Sequence, residues 1–168
     1  MRFVIDHLFP APVDDVARVT LDVAFQGSLG DVGGLRDRRV LDQSDEGGGR
    51  VRRRVRCVLD VQLPGAARAL VGDGEPAWVE DALWLPGERT WHWVVRPEIG
   101  GDVLAADGAI ALAEHDGGTL RRVSGRVDVR IPFYGGRVER SIVAGLRRAY
   151  DEEARRLAAW LDRDVTKP

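Results

Sequence analysis

The chain has 168 residues, 44% of them hydrophobic and 31% charged, a balance that fits one folded domain and excludes global disorder. Its net charge of −2 supplies no electrostatic drive toward nucleic acid or an anionic membrane surface. The single cysteine, Cys57, excludes an internal disulfide and has no partners at zinc-ligand spacing.

No apolar run nears the roughly 20 residues needed to cross a bilayer, so stable membrane insertion is not expected. Asp6 and His7 interrupt the opening segment too early for a secretory signal, which makes a cytoplasmic protein the default expectation. Lys167 is the only lysine, so arginine carries nearly all the basic charge. That bias, with abundant Ala, Gly, Val and Asp, suits a GC-rich bacterial genome and weakens any argument built on an arginine cluster.

Arg2 to Phe9 alternates, with Phe3, Ile5, His7 and Phe9 on one face, and predicts a strand. Pro10-Ala11-Pro12 stops it. Pro12 ahead of Asp14 and Asp15 starts one or two short helices that run to about Gln26 and end at Gly27. From about Leu35 to Phe133 the pattern is strands separated by turns at Gly47-Gly48-Gly49, Pro86-Gly87, Gly100-Gly101 and Asp116-Gly117-Gly118. Val51, Val55, Cys57, Leu59 and Val61 share one face. So do Trp91, Trp93 and Val95, and so do Val123, Gly125, Val127, Val129, Ile131 and Phe133. Pro64 to Leu70 reads as a short helical insert.

The final segment predicts a helix from about Arg137 to Asp162, about 40 Å long. Val138, Ile142, Val143, Leu146, Ala149, Tyr150, Leu157, Trp160 and Leu161 fall within an arc of about 140°. Such a helix must lie on an apolar surface, and the inward face of the sheet is the one available. The expected fold class is therefore α+β, a helix-grip arrangement in which a curved antiparallel sheet of about six or seven strands surrounds a long C-terminal helix. With no repeat, linker or low-complexity tract, residues 1–168 read as a single domain.

The stretch Gly125-Arg126-Val127-Asp128-Val129-Arg130-Ile131-Pro132-Phe133-Tyr134-Gly135-Gly136-Arg137-Val138-Glu139 resembles the "G-x-v-x-v-x-iP-x-x-GG-x-xE" signature of DUF2505, an actinobacterial family of the START-like, polyketide-cyclase-like (SRPBCC) superfamily. The opening strand with its histidine, Leu63-Pro64 and the tryptophan-bearing middle strands are similar to that family too, so the resemblance covers nearly the whole chain. It implies a START/Bet v 1-like fold with an apolar cavity. It implies no reaction, because the superfamily includes carriers, receptors, cyclases, hydrolases and chaperone cofactors.

Glu139 and Glu153 lie near the centre of the apolar arc of the terminal helix, where an ionised carboxylate is costly unless paired. Each could be a polar handle for a ligand or a general acid or base of raised pKa. Alternatively, Glu139 satisfies backbone N–H groups near Gly135-Gly136, and Glu153 pairs with an arginine or reaches solvent. About 21 Å apart along the axis, they cannot act as one catalytic pair. Arg53 is charged on an otherwise apolar face and could grip an acidic headgroup, pair with Glu153, or snorkel from the sheet edge. His7 is either a satisfied core residue or a proton-transfer candidate. Of Glu80 and Asp81, the pattern leaves open which points inward. Trp78, Trp84, Trp91 and Trp93 are core, or line a pocket for a planar or polyene ligand. Gly125, inside a strand, fits a bend that wraps the sheet around the helix. Leu146 and Tyr150 complete the pocket-facing set on the helix.

Several attractive signals carry no function. Arg50, Arg52, Arg54 and Arg56 share an outward face and read as a solvated, edge-protecting strand rather than a nucleic-acid site. His7, His92 and His115 lack metal-ligand spacing, and the glycine-rich pieces lack the Lys-Ser/Thr of a phosphate loop. Neither Ser124 nor Ser141 sits in a G-x-S-x-G context. The expectation is binding of an apolar small molecule, a lipid, isoprenoid or polyketide-like compound, without cofactor or metal. The alternatives are a cyclase or dehydratase using a cavity histidine or carboxylate, and a protein-interaction module. The oligomeric state is left open.

Overall fold

A computed structural model describes residues 1–33, 35–59, 75–99, 101 and 103–165. The expected insert at Pro64–Leu70, the inward position assigned to Val61 and the Leu63-Pro64 pair lie outside the described residues, as does the side chain of Leu59. In chain order the elements are β1 (Arg2–Phe9), α1 (Val13–Leu21), α2 (Val23–Gly27), β2 (Leu35–Gly47), β3 (Arg50–Leu59), β4 (Ala77–Leu85), β5 (Thr90–Pro97), β6 (Leu104–His115), β7 (Gly118–Val129) and α3 (Gly135–Val165). The strands form one seven-stranded sheet in the order β1-β7-β6-β5-β4-β3-β2. Every pairing is antiparallel. Among the described residues no helix is long and apolar enough to cross a membrane.

Alternation decides which face is buried. Phe3, Ile5 and Phe9 of β1, Val123, Val127 and Val129 of β7, Ile110 and Leu112 of β6, Trp91 and Trp93 of β5, and Trp78, Ala82 and Trp84 of β4 point into one core. α1 closes one end of it with Val13, Val16 and Val19. The arc of α3 faces the same core with Val138, Ile142, Val143, Ala149, Tyr150, Leu157 and Leu161. α3 packs on β7, α1 and β1 and reaches toward β2.

Two glycines shape the sheet for one indole. Gly125 of β7 is the cross-strand partner of Gly108 on β6, which in turn pairs with Trp93 of β5. A Cβ on Gly125 would stand 2.7 Å from Trp93 Cζ2 and 2.9 Å from Phe3 Cζ. One on Gly108 would stand 2.1 Å from the Ser124 carbonyl. The glycines let Trp93 lie flat across three strands and stack with Phe3 at a 6.4 Å centroid distance.

Two expectations are corrected. Phe133 does not share the inward face of β7, because the strand ends at Val129. Pro132 has no N–H for a ladder, and the Gly135 N–H donates to the Ile131 carbonyl to close a turn. Phe133 adopts φ 63° and is fully exposed. Nor is β3 an edge strand: it lies between β4 and β2. Its outward arginines instead form a cross-strand ion-pair ladder, Arg52 with Asp81 at 3.4 Å, Arg54 with Asp42, and Arg56 with Glu98 at 2.7 Å.

Candidate ligand-binding site

Charged side chains from several elements converge on the concave face: Arg38 from β2, Arg53 from β3, Glu80 from β4, Arg121 from β7 and Glu153 from α3. Each is close enough to feel the charge of others in the set. A core of this kind exists only where partners or accessible space offset the loss of hydration.

Arg53 is 5% exposed, and its Nη1 donates to the Thr20 carbonyl at 2.8 Å. That carbonyl lies in the last turn of α1, where the helix dipole favours a cation. It also accepts from Gln26 Nε2 at 3.0 Å, while Arg38 donates to the Gln26 carbonyl at 3.0 Å and to Gln26 Oε1 at 2.7 Å. The guanidinium stands 4.1 Å over the Trp91 ring. Burial, reinforced by the nearby Arg38 charge, brings its pKa down to about 10, which leaves it charged at neutral pH. The pairing with Glu153 considered from sequence does not form: the end of α1 takes Arg53, and another arginine takes Glu153.

That arginine is Arg121, 1% exposed, whose Nη2 donates to Glu153 Oε1 at 2.6 Å. Its guanidinium lies 5.5 Å from the centre of the Tyr150 ring. Burial, with Glu80 and Glu153 nearby, pushes the Tyr150 phenol well above its ordinary value. His7 is the cross-strand neighbour of Arg121, and its Nε2 lies 3.0 Å from Asp151 Oδ1 on α3.

Glu80 points inward and Asp81 outward, between Arg52 at 3.4 Å and Arg96 at 3.6 Å. Glu80 has no hydrogen-bond partner among the described residues, and burial raises its pKa against the opposing pull of Arg38 and Arg53. Yet its side chain, like those of Leu146 and Glu153 on the facing helix, keeps accessible surface. Groups at this depth lose that surface in a close-packed interior.

The remaining candidates separate. Trp78 is buried as the cross-strand partner of Cys57, and Trp84 tilts against Trp91 at 5.7 Å. Trp93 and Gly125 pack on one another. Glu139 leaves the site altogether. It accepts from the Val129 N–H at 3.0 Å and from the amino terminus at 3.1 Å, and the backbone hydrogen bond is the main reason its pKa falls. The cluster therefore joins Arg53, Trp91, Tyr150 and Glu153, with His7 and Leu146 at its margin.

Sequence reasoning missed Arg121 and Arg38, and left Glu80 undecided against Asp81. Arg121 shares parity with Val123, and Glu80 with Trp78, Ala82 and Trp84, so alternation contained both signals. Arg38 was not legible, because register shifts between Arg36 and Arg39 and between Val40 and Asp42 break the alternation of β2. Among the described residues no group of His, Cys, Asp or Glu could hold a metal ion.

Residues 5–161 match the family described as "Protein of unknown function (DUF2505)". The chain belongs to that family. None of the curated proteins matches it. Among solved structures, this DUF2505 chain is similar to TTHA0849 from Thermus thermophilus, with a TM-score of 0.68 and 16% identity over 99% of this chain and 100% of that one. It is similar also to the ZhuI aromatase/cyclase from Streptomyces sp. R1128, at 0.63 and 14%, covering 98% and 95%. A START superfamily protein from Mycobacterium smegmatis stands at 0.58 and 12%, covering 96% and 97%. At these identities the likeness establishes the fold, a START/Bet v 1-like helix grip.

Proposed function

We propose that this DUF2505 protein binds an apolar small molecule, a lipid, isoprenoid or polyketide-like compound, between the sheet and α3. The observation that carries the reading is Glu80: it is deep enough for burial to perturb it, unpaired among the described residues, and still retains accessible surface. A side chain with those properties borders space. Trp91, Leu146 and Tyr150 supply apolar walls, and Arg53, Arg121 and Glu153 supply polar atoms to orient one end of a guest. Removal of apolar ligand surface from water, about 25 cal/mol per Å² before binding costs, would drive association.

Native mass spectrometry tests this directly, on protein as purified and after incubation with total lipid extract. The expected result is a defined non-covalent adduct that organic solvent removes. Absence of any adduct in both preparations, with unchanged tryptophan emission, would refute the proposal.

A second reading is favoured by the same carboxyl. A glutamic acid held toward its neutral form, near a buried tyrosine, suits proton transfer in a cyclase or dehydratase. Recovery of the bound compound after incubation separates the two: an unchanged mass and isotope pattern in heavy water supports binding, and deuterium uptake or water loss supports catalysis.

A further inference from the structure

We propose that the guest is an apolar molecule bearing a carboxylate, held between the guanidinium groups of Arg121 and Arg53; this rests on the ligand-binding reading above. The argument starts from a mismatch of donors and acceptors. Among the described residues, five buried N–H groups on the inward face lack an acceptor: Nε and Nη1 of Arg121, Nε of Arg53, and the indole N–H groups of Trp91 and Trp93. Against them stand, among the described residues, Gln43 Oε1, the ambivalent His7 Nδ1 and the unpartnered Glu80 carboxyl, fewer acceptors than donors. An unpaired buried donor costs about 1–3 kcal/mol, more when it is charged, so a surplus of donors selects a partner rich in acceptors.

Charge narrows the class. Three guanidiniums, Arg38, Arg53 and Arg121, face two carboxyls, Glu80 and Glu153, and burial favours the neutral form of Glu80. Glu153 occupies only one of the Arg121 nitrogens, and Thr20 only one of those on Arg53. A hydroxyl offers these groups no charge, whereas a carboxylate offers two acceptor oxygens and the compensating negative charge. The tail of such a molecule would lie against Trp91 and Leu146.

The test compares acids with their own methyl esters on two scaffolds, dodecanoate and 2-naphthoate, by tryptophan-emission titration at pH 7 in 0.15 M salt. At least one acid is expected to bind about tenfold or more tightly than its ester. That preference should fall to near unity in the double variant Arg121→Met/Glu153→Gln, which removes the ion pair without stranding either charge. Equal affinity of acid and ester overturns the carboxylate and leaves apolar binding standing. Failure of all four probes overturns both readings. Retention of the preference in a folded double variant overturns the role of Arg121. Should that variant not fold, wild-type protein still decides: the carboxyl carbon of ¹³C-labelled bound acid must titrate below its value in free solution, and titration at or above that value refutes the proposal.

Discussion

Arg121 Nη2 and Glu153 Oε1 meet at 2.6 Å and join β7 to the middle of α3 inside the core. Removing one partner leaves the other charge without compensation. Arg121→Met is expected to cost about 3 kcal/mol or more in urea unfolding, and the double variant with Glu153→Gln less than the sum of the two singles. Additive losses would mean that the two groups are energetically independent.

Glu80 and Glu139 should make stability depend on pH with opposite signs. The Glu80 pKa is raised above the ordinary 4.5, so the folded state holds its proton longer than the unfolded state. Its contribution is complete below 4.5 and is lost as pH rises through the folded value. Glu80→Gln should therefore gain stability relative to wild type as pH increases from 4 to 8.

The Glu139 pKa is lowered, first by the Val129 N–H and then by the amino terminus. Its contribution is present above 4.5 and lost as pH falls through the folded value. Glu139→Gln should lose little at pH 3 and more at pH 7, by about 1–2 kcal/mol. Chemical denaturation of the two variants at several pH values checks both slopes.

Gly108→Ala and Gly125→Ala should both destabilise, by about 1–3 kcal/mol, but by different routes. The new methyl at position 125 meets the edge of a side chain that can shift, so the tryptophan emission should change. The one at 108 meets backbone oxygen at 2.1 Å and should cost more. Thermal melts with parallel fluorescence spectra separate the two.

The Cys57 thiol is buried, and burial together with Glu80 pushes its pKa up to about 12. Iodoacetamide at pH 8 should leave the native protein unmodified and alkylate it fully in 6 M guanidinium, as read by intact mass. Rapid labelling of folded protein would contradict the placement of β3.

Much of this architecture is readable from the chain alone. The bounds of β1 and the buried arc of α3 follow from periodicity, and the turns at Gly47-Gly48-Gly49, Pro86-Gly87 and Asp116-Gly117-Gly118 from the residues themselves, all local properties. Partner choice is not local. Arg53 and Glu153 are candidates for each other on paper, but the end of α1 claims the first and Arg121 the second, a competition decided only when distant strands align. The same holds for Gly125, whose room for Trp93 depends on a second glycine on the neighbouring strand. Phe133 misleads because alternation continues past Val129 on paper, while Pro132 ends the ladder.

The pairing of β1 with β7 has a consequence for how the chain reaches its native state. Arg2 lies opposite Arg126, and β7 is the last strand in chain order, so β1 meets its sheet partner only after every other strand has been made. Through that interval Phe3, Ile5 and Phe9 have nowhere to hide. Closure of the sheet is therefore a late event with a large loop to close, and slow refolding with early clumping at high concentration is its signature.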